Sequence, residues 1–236
     1  MKINNVNVSA YNAKQFNFQY EHNAVTNDSE WPPGAVTPYL SKNSVGFAVF
    51  TVTLVVKGAG REQIRRNCSS ILSLLTGPVD LTLDGFSQTK FRGVLTGHTE
   101  EERSLRAYHL LRLTFNGYEY GEAVTVTGAS SLTVNNPGNI ISPGIVTITP
   151  RIGAASIQLT GICPDPVTGV DQPVTISTIT NGKVIVLDGI TGLITEDGAA
   201  KEAEMWTLPA FKSGSTTVTC NNSNMDIAVE VLPLYI

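Results

Sequence analysis

Histidine and cysteine are scarce in this 236-residue chain, which holds three of each. The cysteines, Cys68, Cys163 and Cys220, are odd in number and far apart, so neither a disulfide framework nor a zinc knuckle is indicated, and reduced, mostly buried thiols are expected. His22, His98 and His109 are scattered, and none stands at metal-ligand spacing from another histidine, a cysteine or a carboxylate. General bases are therefore few, and no Gly-x-Ser-x-Gly elbow, Walker loop or His-Glu-x-x-His helix occurs. The expectation is a protein without catalysis, cofactor or bound metal. Charge is sparse as well. Only 15% of residues are charged, and a net charge of -4 with a pI near 5.4 offers no basic face for nucleic acid or an anionic membrane. Long apolar runs are missing too: Val45 to Val56 is interrupted by Thr51 and Thr53, whereas a membrane-spanning helix needs about 20 apolar residues. The opening Met1-Lys2-Ile3-Asn4-Asn5-Val6-Asn7 has no secretion-signal pattern, so the chain is expected to be made in a cytoplasm, with no membrane anchor. Asn-x-Ser triplets such as Asn7-Val8-Ser9 and Asn27-Asp28-Ser29 then carry no weight.

What is present is a foldable, β-rich pattern. A hydrophobic fraction of 42% supports a packed interior, and the length favours two cores over one. Ile3, Val6 and Val8 begin an alternation that continues through Phe16-Asn17-Phe18-Gln19-Tyr20, with a hairpin through Asn12-Ala13-Lys14. Residues 22–40, with Trp31-Pro32-Pro33-Gly34 and Pro38, predict a long irregular excursion. Ser44 to Lys57 predicts a central strand covered on both faces. Arg61 to Leu75 predicts one helix, with Ile64, Cys68, Ile71, Leu72 and Leu75 at helical spacing opposite Arg61, Arg65 and Arg66, stopped by Gly77-Pro78. Strands follow over Val79 to Leu83, Phe91 to Gly97 and Arg103 to Phe115, the last two joined by a polar turn at His98 to Glu102.

Around Thr127-Gly128-Ala129-Ser130-Ser131 the composition changes, which sets the expected domains at 1–127 and 128–236. The second half predicts eight short strands: 131–134, 144–149, 156–161, 174–178, 183–188, 193–195, 216–220 and 226–232. Turn signals such as Asn136-Pro137-Gly138 and Asn181-Gly182 separate them. The fold class is mainly β, with an N-terminal β domain carrying one α-helix and a C-terminal antiparallel β-sandwich without helix.

Several features invite chemistry. Gly58-Ala59-Gly60 resembles the start of a dinucleotide fingerprint, but Gln63 replaces the third glycine and the strands that follow look hairpin-linked, which leaves a tight strand-to-helix turn. His109 reads as a partly buried polar position within a strand. Glu100-Glu101-Glu102 reads as an exposed acidic loop; adjacency alone does not set two carboxylates across a glycan. Tryptophan anchors interfaces and fills cores more often than it stacks on sugars, so an interface role is expected for Trp31 and packing for Trp206.

The run Leu132-Thr133-Val134-Asn135-Asn136-Pro137-Gly138, then Pro143 and the alternating Gly144 to Thr149, resembles the opening of the C-terminal domain of phage distal tail proteins. The order continues through Lys183 to Gly189, Ile194 to Gly198, Met205-Trp206-Thr207-Leu208-Pro209, Lys212-Ser213-Gly214 and the closing Ile227 to Tyr235. The first half is similar to the family's N-terminal domain in its strand order, single helix and Leu113-Thr114-Phe115 followed by Tyr118-Glu119-Tyr120-Gly121. The resemblance implies an N-terminal domain that closes into a ring, usually a hexamer, and a galectin-like or carbohydrate-module-like sandwich. It also implies a structural virion protein of the tail tip, a baseplate hub subunit assembled in the host bacterial cytoplasm. Its partners would be identical copies, the tail tube protein, the tape-measure protein, the tail-tip protein and a receptor-binding protein. Ring closure needs complementary open edges and loops. Trp31, Pro32, Pro33, Val49, Thr51, Thr53, Arg106 and Tyr108 are the expected inter-subunit or partner surface. The alternatives are a sandwich that attaches the protein to a host cell-wall glycan, and a glycan hydrolase; with Trp206, Phe211 and Tyr235 the sole aromatics of the second domain, a sugar platform is poorly supplied.

Overall fold

The computed structural model describes residues 1–23, 25–103, 108–165 and 168–236, and for residues 40–44 the backbone alone. It divides into two units, Met1–Tyr120 together with Ile236, and Gly121–Tyr235. The division falls ahead of the expected Thr127/Gly128 step because Val124–Gly128 already pairs with Ile227–Val231 of the second unit.

The first unit runs β1 (Lys2–Ile3), β2 (Val6–Asn7), a 3-10 turn (Val8–Tyr11), β3 (Ala13–Glu21), β4 (Val25–Glu30), β5 (Tyr39–Val45), β6 (Ala48–Lys57), α1 (Arg61–Ser73), β7 (Val79–Thr82), β8 (Lys90–Glu102) and β9 (Tyr108–Tyr120). Its main sheet has the order β2-β1-β7-β8-β9-β6-β3. The alternation in β6 is what makes this sheet one-sided. Ala48, Phe50, Val52, Leu54 and Val56 point inward and are buried beside Leu111, Leu113 and Phe115 of β9. Phe50 stacks on Phe115 with ring centroids 5.3 Å apart, and Phe91 closes the group at 5.6 Å from Phe50. Ile64, Cys68 and Ile71 of α1 complete the same core, each apolar side chain contributing about 1.5–3 kcal/mol by leaving water.

The helix starts and stops for local reasons. A Cβ on Gly58 would stand 2.9 Å from Ile64 Cγ1, so the turn out of β6 requires glycine. Asn67, buried mid-helix, donates to the Lys57 carbonyl at 2.9 Å and ties the helix to the end of β6. Tight turns from Leu74 N to Ile71 O and Leu75 N to Leu72 O end it, a little before the expected Leu75. β6 pairs antiparallel with β9, β9 with β8 and β8 with β7, so β7 runs opposite to β6 and no βαβ unit forms around Gly58-Ala59-Gly60.

Three expectations change. The N-terminal strand is broken because Asn4 and Asn5 take φ of 47° and 67°, a left-handed step that makes a turn. The excursion at 22–40 contains β4 and the start of β5, paired as a hairpin-like ribbon, and β4 showed no alternation because both of its faces meet solvent. The acidic stretch His98 to Glu102 is the end of strand β8, held in register against β9 as far as Glu102 opposite His109.

The second unit comprises β10 (Val124–Gly128), β11 (Ser131–Asn136), β12 (Ser142–Pro150), β13 (Ala154–Thr160), β14 (Val174–Ile179), β15 (Ile185–Asp188), β16 (Ile194–Glu196), β17 (Ala199–Ala200), β18 (Ala210–Phe211), β19 (Gly214–Cys220) and β20 (Met225–Val231). One sheet has the order β10-β20-β12-β15-β16-β17, with β18 also on β12, and the other is β11-β19-β13-β14. All pairings are antiparallel, and residues from both sheets, among them Val134, Val146, Leu159, Ile176, Leu187 and Val229, share one core. Each of the eight predicted strands is present. Asn136 explains the Asn-Pro-Gly step: buried, it donates to the carbonyls of Ile140 (3.2 Å) and Phe211 (3.1 Å) and accepts from Gly138 N (2.9 Å).

A Cβ on Gly117 would lie 2.0 Å from the Arg92 carbonyl oxygen, whereas one on Gly97 meets nothing within 4 Å. Gly117→Ala is expected to cost about 3 kcal/mol or more and Gly97→Ala less than about 1, read by urea denaturation. Burial pushes the thiols of Cys68 and Cys163 up from 9.0 to about 11, with Glu100 and Asp171 adding to the effect. The folded state thus holds those protons more tightly than the unfolded chain, so this stability is full below pH 9 and is lost as pH rises toward 11. Thermal unfolding followed from pH 8 to 11 should show the midpoint falling across that window, and Cys68→Ser, whose hydroxyl does not titrate there, should flatten the fall.

Candidate functional site

Two surfaces of the first unit stay open. The first is the outer face of the sheet. Val49, Thr51, Thr53 and Val55 of β6 stand opposite the core, level with Glu21, Gln19, Asn17 and Lys14 of β3 and with Asn116, Thr114, Arg112 and Leu110 of β9. Val49, Thr51, Val55, Leu110 and Thr114 are half-buried, and the Thr51 and Thr114 hydroxyls meet at 3.3 Å. The strand expected to be covered on both faces is thus packed on one; α1 lies on the inner side, and the outer side keeps a half-open mixture of threonine and aliphatic carbon.

The second surface is the ribbon β4–β5, to which no other strand is hydrogen-bonded among the described residues. Its root is held by Asn23, which donates to the Gly46 carbonyl at 2.8 Å. At its tip a turn from Ala35 N to Pro32 O (3.0 Å) is braced by Trp31 Nε1 donating to Ala35 O at 2.9 Å. The indole edge is satisfied while its face is not: Trp31 is 65% exposed, and Val25, Val36, Tyr39 and Phe47 are exposed on or beside the ribbon. Isolated two-stranded ribbons are marginal in water, and exposed apolar groups on one mark it for a partner surface.

The structure therefore places Trp31, Pro32 and Pro33 at the ribbon tip, and Val49, Thr51 and half-buried Tyr108 on the outer sheet face, Tyr108 at the opposite end from Val49. Thr53 departs from the expectation. It is 7% exposed, because Asn17 and Arg112 flank this small side chain on the neighbouring strands, so it offers little surface. Arg106 lies outside the described residues. Sequence reading passed over Val36, Tyr39 and Phe47, although apolar residues in an otherwise polar excursion were the available signal.

In the second unit Trp206 also departs from expectation. It is 74% exposed in the bends before β18, and Phe211 fills the core in its place. Among the described residues the other aromatics of this unit are a buried Phe211 and a half-buried Tyr235, a poor supply for an aromatic sugar platform. A polar cleft of 210 Å³ lies between Asp171 and Lys212. The Asp171 carboxylate there is already engaged by the amides of Gly161 (2.5 Å) and Cys163 (3.1 Å) and so serves the loop itself.

Among the described residues no group of three or more histidines, cysteines or carboxylates is placed to hold a metal. His109 is 4% exposed and its Nδ1 is bonded to Glu100. Cys68, close enough to feel the Glu100 charge, completes a cysteine, histidine and acid set in composition. Burial and Glu100 both favour the neutral thiol, however, which is the reverse of what activates a cysteine nucleophile.

Since Trp31 packs on no core, Trp31→Ala should change chemical-denaturation stability by less than about 0.5 kcal/mol. Thr53→Asp places a charge in a covered position and should cost about 2 kcal/mol or more in the same measurement.

No family model matches the chain, and no curated protein does. Solved structures do. A crystal structure of the Dit protein of phage SPP1, described as a paradigm of the hub adsorption apparatus in phages infecting Gram-positive bacteria, is similar with a TM-score of 0.74 at 15% identity, over 99% of this chain and 98% of that one. Two structures of the phage p2 baseplate in its activated conformation, with strontium and with calcium, give TM-scores of 0.51 and 0.50 at 10% and 11% identity, each over 92% of this chain and 90% of theirs. The chain thus shares, over nearly its whole length, the fold of a phage Dit protein.

Proposed function

We propose that this protein is a structural subunit of a phage tail tip, a distal tail protein that assembles with identical copies into a ring between the tail tube and the tail-tip complex. The observation that carries the reading is the likeness to the SPP1 Dit protein across 99% of this chain and 98% of that one, so that both units are accounted for. The open surfaces of the first unit fit the same role. In a ring each copy presents one surface to the neighbour ahead and a different one to the neighbour behind. The ribbon carrying Trp31 and the threonine-lined outer face with Val49 and Thr51 are two such surfaces. In this reading the first unit forms the ring, and the tail tube, tape-measure and tail-tip proteins meet it. The second unit is a non-catalytic sandwich available to other baseplate components, a receptor-binding protein among them. The protein then resides in the virion at the tail tip.

Light scattering on the purified full chain at several concentrations tests this. The expected species is six times 25.2 kDa, independent of dilution. Trp31→Ala and deletion of residues 27–37 should each shift the mass toward single copies, the former with circular dichroism unchanged. A single copy at every concentration, alone and mixed with the tail tube protein of the same phage, would overturn the ring.

A further inference from the structure

A pocket of 410 Å³ opens at one end of the outer sheet face, where β3 is the edge strand. Lys14 and Phe16 of β3, Val55 and Lys57 of β6 and the turn residues Ser9 and Asn12 line it. A β-bulge builds its wall. Gln15 stands opposite Leu54 and Asn17 opposite Thr53, so Phe16 is the extra residue of the bulge, and it is 68% exposed. Neither Lys14 nor Lys57 has an ion pair among the described residues. Carboxylates of the adjoining elements are taken: Asp84 by the N-terminal ammonium, Glu100 by His109, Glu101 by Arg103 and Glu102 by Arg61. Glu21 stands at the far end of β3, about 20 Å away. The pocket thus offers an aliphatic floor in Val55, an aromatic wall and two ammonium groups.

The ribbon β4–β5 carries the complementary groups. Glu30 is the single charged residue between Ser29 and Ser41, it precedes Trp31, and it has no ion pair among the described residues. Trp31 has its Nε1 bonded to the Ala35 carbonyl, which leaves the exposed indole face as the surface to be covered. The tip therefore presents one large aromatic beside one carboxylate, and the pocket one exposed aromatic beside two ammonium groups. The ribbon is rooted next to Glu21 and Val49 by Asn23 on Gly46, whereas the pocket lies at Lys14 and Val55, about 20 Å away along the same ladder. A head-to-tail contact between copies requires two unlike patches set apart in this way.

We infer that the pocket at Lys14, Phe16, Val55 and Lys57 is the seat for the ribbon tip of the next copy, with Trp31 packed on Phe16 and Val55 and Glu30 held by Lys14 and Lys57. This contact rests on the ring reading and gives that ring its two unlike halves. Charge selects the occupant. Residues 25–45 hold two carboxylates, Asp28 and Glu30, against one lysine, Lys42, so the ribbon is net negative where the pocket is positive. Two tips meeting each other would instead set Glu30 against Glu30. The pocket volume lies within the range of sites that take one large side chain or a small ligand. Each copy has one ribbon and one pocket, so the contact repeats until the ring closes.

The test is light scattering on the full chain, with circular dichroism to check that each variant folds. Reversing the pocket in Lys14→Glu/Lys57→Glu, or the tip in Glu30→Lys, should make the mass fall toward single copies over an about tenfold dilution across which the unchanged chain keeps its mass. Phe16→Ala should do the same. The three charge reversals together should restore the ring, a rescue that a merely structural role of these residues would not give. In Trp206→Phe, which leaves Trp31 as the single tryptophan, assembly should move the fluorescence maximum to shorter wavelength. An unchanged chain that stays a single copy at every concentration overturns the ring and the seat together. The seat alone is overturned by a ring that Lys14→Glu/Lys57→Glu leaves intact, by reversals that do not rescue one another, or by a ring in which Trp31 keeps the emission of an exposed indole. Loss of tail tube protein binding in Lys14→Glu/Lys57→Glu with the ring intact would give the pocket to that partner and overturn the seat as well.

Discussion

The unbroken pairing of β6 with β9 is the constraint on which the first unit depends. From Ala48 opposite Gly117 to Lys57 opposite Tyr108 the two strands stay in register without a slip. Side chains alternate strictly along such a ladder, so moving it by one residue would exchange the dry face for the wet one. The register therefore decides at once that Phe50 meets Phe115 in the core, that Thr51 meets Thr114 outside it, and that His109 is delivered to the helix side beside Glu100. The core, the open face and the buried His109–Glu100 contact are three consequences of one alignment.

What could be read in the sequence follows from the same physics. Strands with one buried face alternate, and so the sandwich strands of the second unit and the long strands of the first were legible. The helix was legible because Ile64, Cys68 and Ile71 recur at its own period. Strand β4 was not, since a strand wet on both faces has no pattern to show and only the backbone ladder to β5 reports it. Trp31 declared itself through its proline-rich surroundings, whereas Trp206 was misplaced because nothing local distinguishes a core tryptophan from one stranded in bends while Phe211 takes the interior. The meeting of α1 with the ends of β8 and β9 was illegible for another reason. Arg61, Arg65 and Arg66 read alone as a solvated helix face, and only tertiary structure brings His109 and Glu102 to them across more than thirty residues of sequence.

The two units also differ in how their sheets are covered. In the second, both sheets direct their apolar faces into one shared core, and the Asn136 side chain is fully bonded inside it. The first keeps an open sheet face and a ribbon that, among the described residues, no other strand joins, with a tryptophan at its tip. Such features cost stability in an isolated molecule. Their concentration in one unit is the physical reason to look there for contacts with other molecules.

The pairing of β10 with β20 has a different consequence. The first strand of the second unit, Val124–Gly128, lies against Ile227–Val231, so the unit's opening strand and its last long strand are neighbours. A unit whose first strand lies beside its last long strand can lengthen its interior loops without drawing those two strands apart. Tolerance of this kind is written into a single five-residue ladder.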